Sequence, residues 1–321
     1  MMQSPWLSVV LPVYNGERYL AAALESVLSQ SDESIETLVS DDGSSDASIA
    51  ITRSLSDGDR IRLIEGPRKG NWVANSNFAV RQARGQFVSF LHQDDLWLPG
   101  RVRSIRAAVS RSPSRSLWLG PSRFVDTAGE FAGTWRLPFR ASTTSVEPTD
   151  FLERLLVQNF VAMPAPVFAR TSFDSMGGMD ENLWYSADWD LWLKLGGISG
   201  VGLWPDATTG FRIHGQSQTM VGASLSESMK SQCEAVRSRY LSRIVDPDVR
   251  DAVDRAGRFS CELNARLANA IGRRAIHWRG LATGMIGLGL GGAYRFARDA
   301  RILERSFARL RAGLASRSSA G

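Results

Sequence analysis

Over the first hundred residues, continuous apolar runs alternate with stretches whose apolar positions recur every three or four residues. Trp6–Leu11 reads as a buried strand, and Arg18–Gln30 carries Leu20, Ala23, Leu24, Val27 and Leu28 at helical spacing. Glu36–Ser40 predicts a second strand, followed by a helix from Asp46. Arg62–Ile64 is a short third strand, Ala74–Arg84 a helix and Gln86–Leu91 a fourth strand. Strands alternating with helices of this length imply βαβ units and a mainly parallel sheet, hence an α/β fold. Past Pro99 the period weakens. Arg101–Ser110 predicts a helix, Leu117–Phe124 a strand, Arg140–Thr149 a polar loop, Phe151–Asn159 a helix and Ala165–Ala169 a strand. The stretch GGMDENLWYSADWDLWLKLG then closes a loop and opens a helix at about Asp188, where a carboxylate suits the positive end of the helix dipole. After WPDATTGFRIHG the composition shifts, from about Ser224, to helices rich in Arg, Ala and Ser. That shift places a boundary near residue 222, with an α/β domain over 1–222 and an α-helical, Arg-rich extension over 223–321.

In sheets of this kind ligands bind beyond the carboxyl ends of the strands. Those ends are followed by PVYNG, DDGSSD, GPRKGN and HQDD. All four are polar and two are acidic, so one edge of the sheet reads as a ligand site. The last poses the sharpest question, because the hydrophobic run FVSFL ends in His92, Gln93, Asp94 and Asp95. Two adjacent carboxylates repel, and a divalent cation is the expected compensation. DDGSSD is a poor calcium loop, lacking alternating oxygen ligands and a distal Glu; as a plain turn it would use Asp46 to cap the next helix.

Composition changes the picture in one place. Hydrophobic residues at 43% and charged residues at 22% are ordinary for a globular chain, and the net charge is +5. From Ile271 onward there are ten Arg against Asp299 and Glu304, a local +8, which leaves +5 − 8 = −3 for residues 1–270. The basic character therefore belongs to the tail. Cys233 and Cys261 fit neither a metal spacing nor a disulfide framework, which suits a reducing compartment. No signal peptide and no run of about 18 apolar residues is expected. The expected location is cytoplasmic, or peripheral on the inner face of the plasma membrane.

Taken together, SVVLPVYNGERYLAAALESVLSQ, VSDDGSSDAS, ANSNFAVRQARGQFVSFLHQDD and GGMDENLWYSADWDLWLKL resemble, in order, the motifs of the family 2 glycosyltransferases. These are inverting, nucleotide-sugar-dependent enzymes with the GT-A fold, a Rossmann-like, mainly parallel sheet with flanking helices. The resemblance spans roughly residues 5–216 and leaves the tail uncovered. It implies that Pro12 and Tyr14 lie against the nucleobase, where stacking is worth ~1–3 kcal/mol, and that Asp42 accepts a hydrogen bond from the base. Arg68 and Lys69 would face the diphosphate, with surface solvation the rival account; Asn75 and Asn77 would be structural. Asp94 would be the direct ligand of Mg2+ or Mn2+, with Asp95 acting through water or on the sugar. His214, in FRIHG, would close over metal or diphosphate, and Arg212 is a second phosphate candidate. Asp188 matches the catalytic base, and Asp190, two residues on, points elsewhere on the helix. Trp184 or Tyr185 would meet the acceptor, while Trp189 and Trp192 suit core packing. Two positions depart from the family: His92 stands where many relatives carry an aspartate, and Ala187 where a glutamate is common.

The implied function is inverting transfer of a sugar from a UDP, dTDP or GDP donor to a glycan or lipid-linked acceptor, in surface polysaccharide synthesis. A nucleotidyl transferase would want a glycine-rich basic loop after the first strand, and PVYNGERYL has one glycine there. A non-catalytic nucleotide-sugar-binding or scaffold protein is the alternative, favoured by His92 and Ala187 and opposed by Asp42, Asp94 and Asp188. In the tail, Leu303, Phe307, Leu310 and Leu314 oppose Arg298, Arg301, Arg305 and Arg309 on a helical wheel, after the glycine-rich stretch GLATGMIGLGLGGAY. That pattern predicts association with an anionic membrane surface, with a homodimer seam or an intramolecular helix as the other accounts. Nucleic acid is a poor fit, since the body is acidic and the basic face lacks aromatics.

Overall fold

The run after Trp6 is apolar without alternation because it is buried on both faces of a sheet. It forms β1 (Leu7–Val13), paired in parallel with β2 (Ile35–Asp41) on one side and β4 (Phe87–Phe90) on the other. The computed structural model describes residues 4–56, 60–66, 68–214, 226–272 and 284–302, with residues 304, 308 and 311. β3 (Ile61–Glu65) continues the parallel set beyond β2. Three helices link these strands: α1 (Leu20–Leu28), α2 (Ser48–Leu55) and α3 (Trp72–Gln82). Val10 and Leu38 face one core cluster, while Leu7, Val9, Leu11 and Val39 face a second across the sheet. All of this matches the spacing in the sequence to within a few residues.

Beyond β4 the pattern is less regular. β5 (Leu96–Trp97) is followed by α4 (Arg101–Arg111). The expected strand Leu117–Phe124 is two strands in different sheets, β6 (Leu117–Leu119) and β7 (Ser122–Val125). Pro121 has no N–H for a ladder, and at Gly120 a Cβ would meet Trp204 Nε1 at 2.1 Å, so the chain turns there beneath the indole. Next come β8 (Phe131–Trp135), β9 (Ser145–Val146), α5 (Pro148–Val157), β10 (Val167–Ala169) and α6 (Arg170–Ser175). They are followed by α7 (Ala187–Ser199), β11 (Val201–Leu203) and β12 (Thr209–Arg212). The main sheet runs β3-β2-β1-β4-β10-β6-β11-β9, with β10 antiparallel to both neighbours; a smaller sheet runs β5-β12-β7-β8. β9 and the start of α5 fall in the segment expected to be a loop.

Three further helices follow: α8 (Ser226–Leu241), α9 (Pro247–Gly272) and α10 (Gly289–Asp299). Val236, Tyr240, Val253, Ala256 and Phe259 share one core cluster with Phe151, Leu155 and Trp189. α9 can lie close on α5 because residue 257 is glycine, where a Cβ would sit 2.6 Å from the carbonyl oxygen of Leu156. α7 and α8 are joined by a buried charge cluster. Asp190, fully buried, meets Lys194 at 2.8 Å, Arg239 at 2.7 Å and the Tyr240 hydroxyl at 2.8 Å. A buried carboxylate is tolerated only when paired in this way, so Asp190 is a structural hub. Trp189 and Trp192 are core, as expected.

The expected boundary at 222 lies outside the described residues. So do the apolar positions Leu303, Phe307, Leu310 and Leu314 of the predicted basic amphipathic helix, with Arg305 and Arg309. Among the described residues, no helix is long and apolar enough to cross a membrane.

Candidate active site

The loops after β1, β2 and β4 converge on one cavity of about 550 Å³. The first two are latched to each other. Asn15 turns with φ +48°, a conformation its short polar side chain tolerates. Its N–H donates to Ser44 Oγ (2.9 Å), and its Oδ1 accepts from the Ser45 N–H (2.8 Å). Asp46 accepts from the N–H of Glu17 (2.9 Å) and of Ser48 (3.0 Å), so it ties the loops together at the entry to α2; the N-cap itself is Ala47, one residue on from the one expected. Gln93 fixes the third loop to the first: its amide accepts from the Tyr14 N–H (2.9 Å) and donates to the Tyr14 carbonyl (3.2 Å).

Tyr14 is thereby held at the cavity mouth, 45% exposed. Arg68 lies over it, its guanidinium 4.8 Å from the ring centre and donating to the phenol oxygen at 2.9 Å. Lys69 is turned away, its ammonium 4.4 Å over the Phe78 ring. Asp42 lines the cavity beside Pro12, and its two oxygens accept the N–H groups of Lys69 and Gly70. Asn75 pins α3 to β2 through both the hydroxyl and the carbonyl of Ser40, and Asn77 holds Met179 and Glu181. Both amides are structural, as expected.

At the end of β4, His92, Asp94 and Asp95 bring one ligand atom each within 4.8 Å of one another. Asp95 is buried and accepts the Arg212 N–H (2.9 Å); burial first, then the Asp94 charge, push its carboxyl well above the usual range. Burial acts the same way on Asp94, but it is outweighed by the hydrogen bond with His214 and by charge on His92 and His214, which hold that carboxyl below its ordinary value. His214 Nε2 lies 2.7 Å from Asp94 Oδ2. Burial pushes the His92 imidazole down, against a smaller upward pull from Asp94. His92 Nε2 and His214 Nδ1 are buried without a hydrogen-bond partner among the described residues. Two adjacent carboxylates, Asp95 buried and Asp94 half-buried, beside two imidazole nitrogens without partners among the described residues, form a donor set that fits a divalent cation.

Arg212 is not brought into the cavity. Its Nε donates to the Asp94 carbonyl (2.7 Å) and Nη1 to the carbonyls of Asp126 (2.9 Å) and Thr127 (3.1 Å). These bonds make it a brace for the acidic turn.

Asp188 lies in the first turn of α7, on the cavity wall with Trp184 and Tyr185. Its Oδ1 accepts the Trp189 N–H (2.7 Å) and its Oδ2 accepts Asn159 Nδ2 (3.1 Å). Asn159 continues into a chain: its carbonyl accepts Gln158 Nε2 (3.1 Å), and Gln158 Oε1 accepts from Ser260 Oγ (2.5 Å) and Asn264 Nδ2 (2.6 Å) on α9. Trp184 and Tyr185 are fastened to α8, the Trp184 Nε1–H donating to Ser228 Oγ (3.3 Å) and the Tyr185 N–H to Gln232 Oε1 (2.9 Å). Trp72 bridges the two groups, with its ring 5.3 Å from that of His92 and its N–H donating to the Trp184 carbonyl at 2.7 Å.

Sequence reasoning missed His92 as a ligand candidate, and it missed Gln93, Trp72, Gln158, Asn159 and the whole face of α8 and α9. One signal was present. Val253 and Ala256 continue at helical spacing into Ser260 and Asn264, so two polar residues sit on an otherwise buried stripe.

Residues 8–157 match the family model described as Glycosyl transferase family 2. An uncharacterized glycosyltransferase of Rickettsia bellii (strain RML369-C) is 25% identical over 249 residues, which is 76% of this chain. The chain spans 34% of that curated relative's length. Among solved structures, S. aureus TarS 1–349, also solved with UDP and with UDP-GlcNAc, is similar at a TM-score of 0.62 and 18% identity, covering 96% of this chain and 91% of that one. The mannosyltransferase PcManGT from Pyrobaculum calidifontis, solved with GDP-Man and Mn2+, gives 0.56 at 16% identity, covering 97% and 87%. These likenesses bear out the GT-A architecture with C-terminal helices. The family match ends at Val157, one residue before the amide chain that leads to Asp188.

Proposed function

The chain belongs to glycosyltransferase family 2, and we propose that it moves a sugar from a nucleotide-diphosphate donor to an acceptor hydroxyl, with inversion at the anomeric carbon. One observation carries the reading: a single cavity holds an aromatic–arginine mouth, an acidic pair with unsatisfied imidazoles, and a separately oriented carboxylate. Tyr14 and Pro12 would take the base of a UDP, dTDP or GDP sugar, Asp42 its hydrogen bond, and Arg68 the diphosphate. His92, Asp94, Asp95 and His214 would hold Mn2+ or Mg2+, the imidazoles favouring Mn2+, and the bound cation supplies positive charge to the diphosphate leaving group. Arg212 holds that turn rigid. Asp188, oriented by the Trp189 N–H and Asn159, takes the acceptor's proton as attack proceeds, because an alcohol is too weak an acid to give it up beforehand. Trp184 and Tyr185 would flank the acceptor.

A glycan or lipid-linked acceptor in surface polysaccharide synthesis fits the tail. Met285, Ile286, Leu290 and Tyr294 are 61%, 83%, 94% and 66% exposed, within the segment from Ile271 onward whose net charge is +8. Such a face suits the cytoplasmic surface of an anionic bilayer. Co-sedimentation with phosphatidylglycerol vesicles but not phosphatidylcholine vesicles supports this setting; indifference to both removes it.

The test of the site is calorimetric titration of UDP-, dTDP- and GDP-sugars, with and without Mn2+, on wild type and Asp94→Ala. Binding of one nucleotide class that needs both the metal and Asp94 is expected. Binding indifferent to both sinks the role given to Asp94, and donor binding without any transfer returns the scaffold alternative.

A further inference from the structure

Cys233 on α8 and Cys261 on α9 are the two cysteines of the chain, and both line the cavity. Each is half-buried and free, and the ion pairs Lys230–Glu262 (3.0 Å) and Arg258–Glu234 (3.1 Å) hold α8 against α9 in the register that sets the two cysteines opposite one another. The mechanism above uses neither. We propose that they form a dithiol site, which a small-molecule disulfide entering the cavity oxidises to an intramolecular disulfide, joining α8 to α9 across the acceptor wall.

The two sulfurs are not equivalent. Their proximity raises the Cys233 thiol and lowers that of Cys261, which favours the thiolate on Cys261. Burial also raises Cys233, and Asp188 adds to this through its negative charge. Burial opposes the thiolate on Cys261, while the guanidinium of buried Arg237 supports it; Glu234 and Glu262 act against it. Cys261 is therefore the attacking sulfur. Its thiolate displaces one RS⁻ from the small disulfide RSSR, breaking that S–S bond and forming a mixed disulfide. Cys233 then loses its proton and attacks the Cys261 sulfur, releasing the second RS⁻. Both leaving groups take up protons, so two protein thiols are oxidised and one RSSR is reduced to two RSH.

The position gives the bond its consequence. Gln232, adjacent to Cys233, holds the Tyr185 N–H, and Ser260, adjacent to Cys261, holds Gln158 in the chain to Asp188. A crosslink here displaces both supports of the acceptor half and leaves the donor half untouched. That regulatory consequence rests on the glycosyltransferase reading; the dithiol chemistry does not.

The experiment treats the reduced full-length chain with the disulfide of 2-mercaptoethanol, followed by iodoacetamide trapping and mass spectrometry. Wild type should lose both alkylation sites together, as a monomer with no adduct, and recover both with dithiothreitol. Cys233→Ser should accumulate a stable mercaptoethanol adduct on Cys261, whereas Cys261→Ser should react at least about tenfold more slowly. Alanine replacements repeat the comparison should a serine variant fail to fold. Two thiols that survive excess oxidant, or disulfide-linked dimers in place of the internal bond, overturn the proposal. In the oxidised protein, donor affinity should stay within about twofold and transfer should fall about tenfold, reversibly; equal transfer in both forms overturns the regulatory half. The thiol count needs no turnover, so failure to find a donor would not be mistaken for failure of the dithiol.

Discussion

The two halves of the cavity, the one proposed for the donor and the one proposed for the acceptor, are built in different ways. The donor half hangs on strand ends within the first hundred residues, with side chains a few positions from the strand that delivers them: Tyr14 after β1, Asp42 after β2, His92, Asp94 and Asp95 after β4. His214, which meets Asp94 after β12, is its one distant member. The acceptor half is assembled from the end of α5, the start of α7 and the faces of α8 and α9, and its bonds join residues about a hundred positions apart, such as Gln158 with Ser260 and Asn264. A loop on a strand end can be changed with local effect. A hydrogen-bonded chain between helices transmits a change along its length.

That contrast makes the largest expected effect a clean one. Asp188→Asn keeps the shape and one of the two bonds the carboxylate accepts, from Trp189 N–H or Asn159, but removes the base, so kcat should fall about 10³-fold while calorimetric donor affinity stays unchanged. Loss of donor binding in this variant would break the division into halves. The converse comes next. Asp94→Ala should weaken donor binding about 100-fold in the presence of Mn2+, and a chelator should reproduce the loss in wild type without weakening the variant further. Tyr14→Ala removes a stacking surface worth ~1–3 kcal/mol, so donor affinity should fall on the order of tenfold. Tyr14→Phe keeps the ring but loses the bond from Arg68, and should recover most of it. A Phe variant as weak as Ala would shift the role from ring to hydroxyl.

The same contrast explains what could be read in advance. The four parallel strands and the four polar turns were legible because period and turn chemistry are local properties of the chain. Ten of the twelve residues expected at the site line one cavity, Lys69 lying over the Phe78 ring instead. Arg212 does not, and no local pattern separates an arginine that binds phosphate from one whose donors are taken by the carbonyls of Asp94, Asp126 and Thr127. The β6–β7 break had a local signal in Gly120-Pro121 that was passed over, while its other cause, Trp204 filling the space at Gly120, is remote in sequence. Helical spacing set Asp190 apart from Asp188 on α7, but only the positions of Arg239 and Tyr240 on α8 show that it is an ion-pair hub.

The smallest effect probes the far end of the amide chain. Gln158 Oε1 accepts two donors, Ser260 Oγ and Asn264 Nδ2, so removing either leaves the other in place. Each single replacement by alanine should cost about 0.5–1.5 kcal/mol, seen as a few-fold drop in kcat with donor affinity intact. The double variant leaves Gln158 unheld, and its amide is then free to release Asn159, which orients Asp188. Its loss should exceed the sum of the singles by roughly 0.5 kcal/mol or more. Simple additivity would mean that Ser260 and Asn264 only pack, and that the acceptor half, like the donor half, is a set of independent contacts.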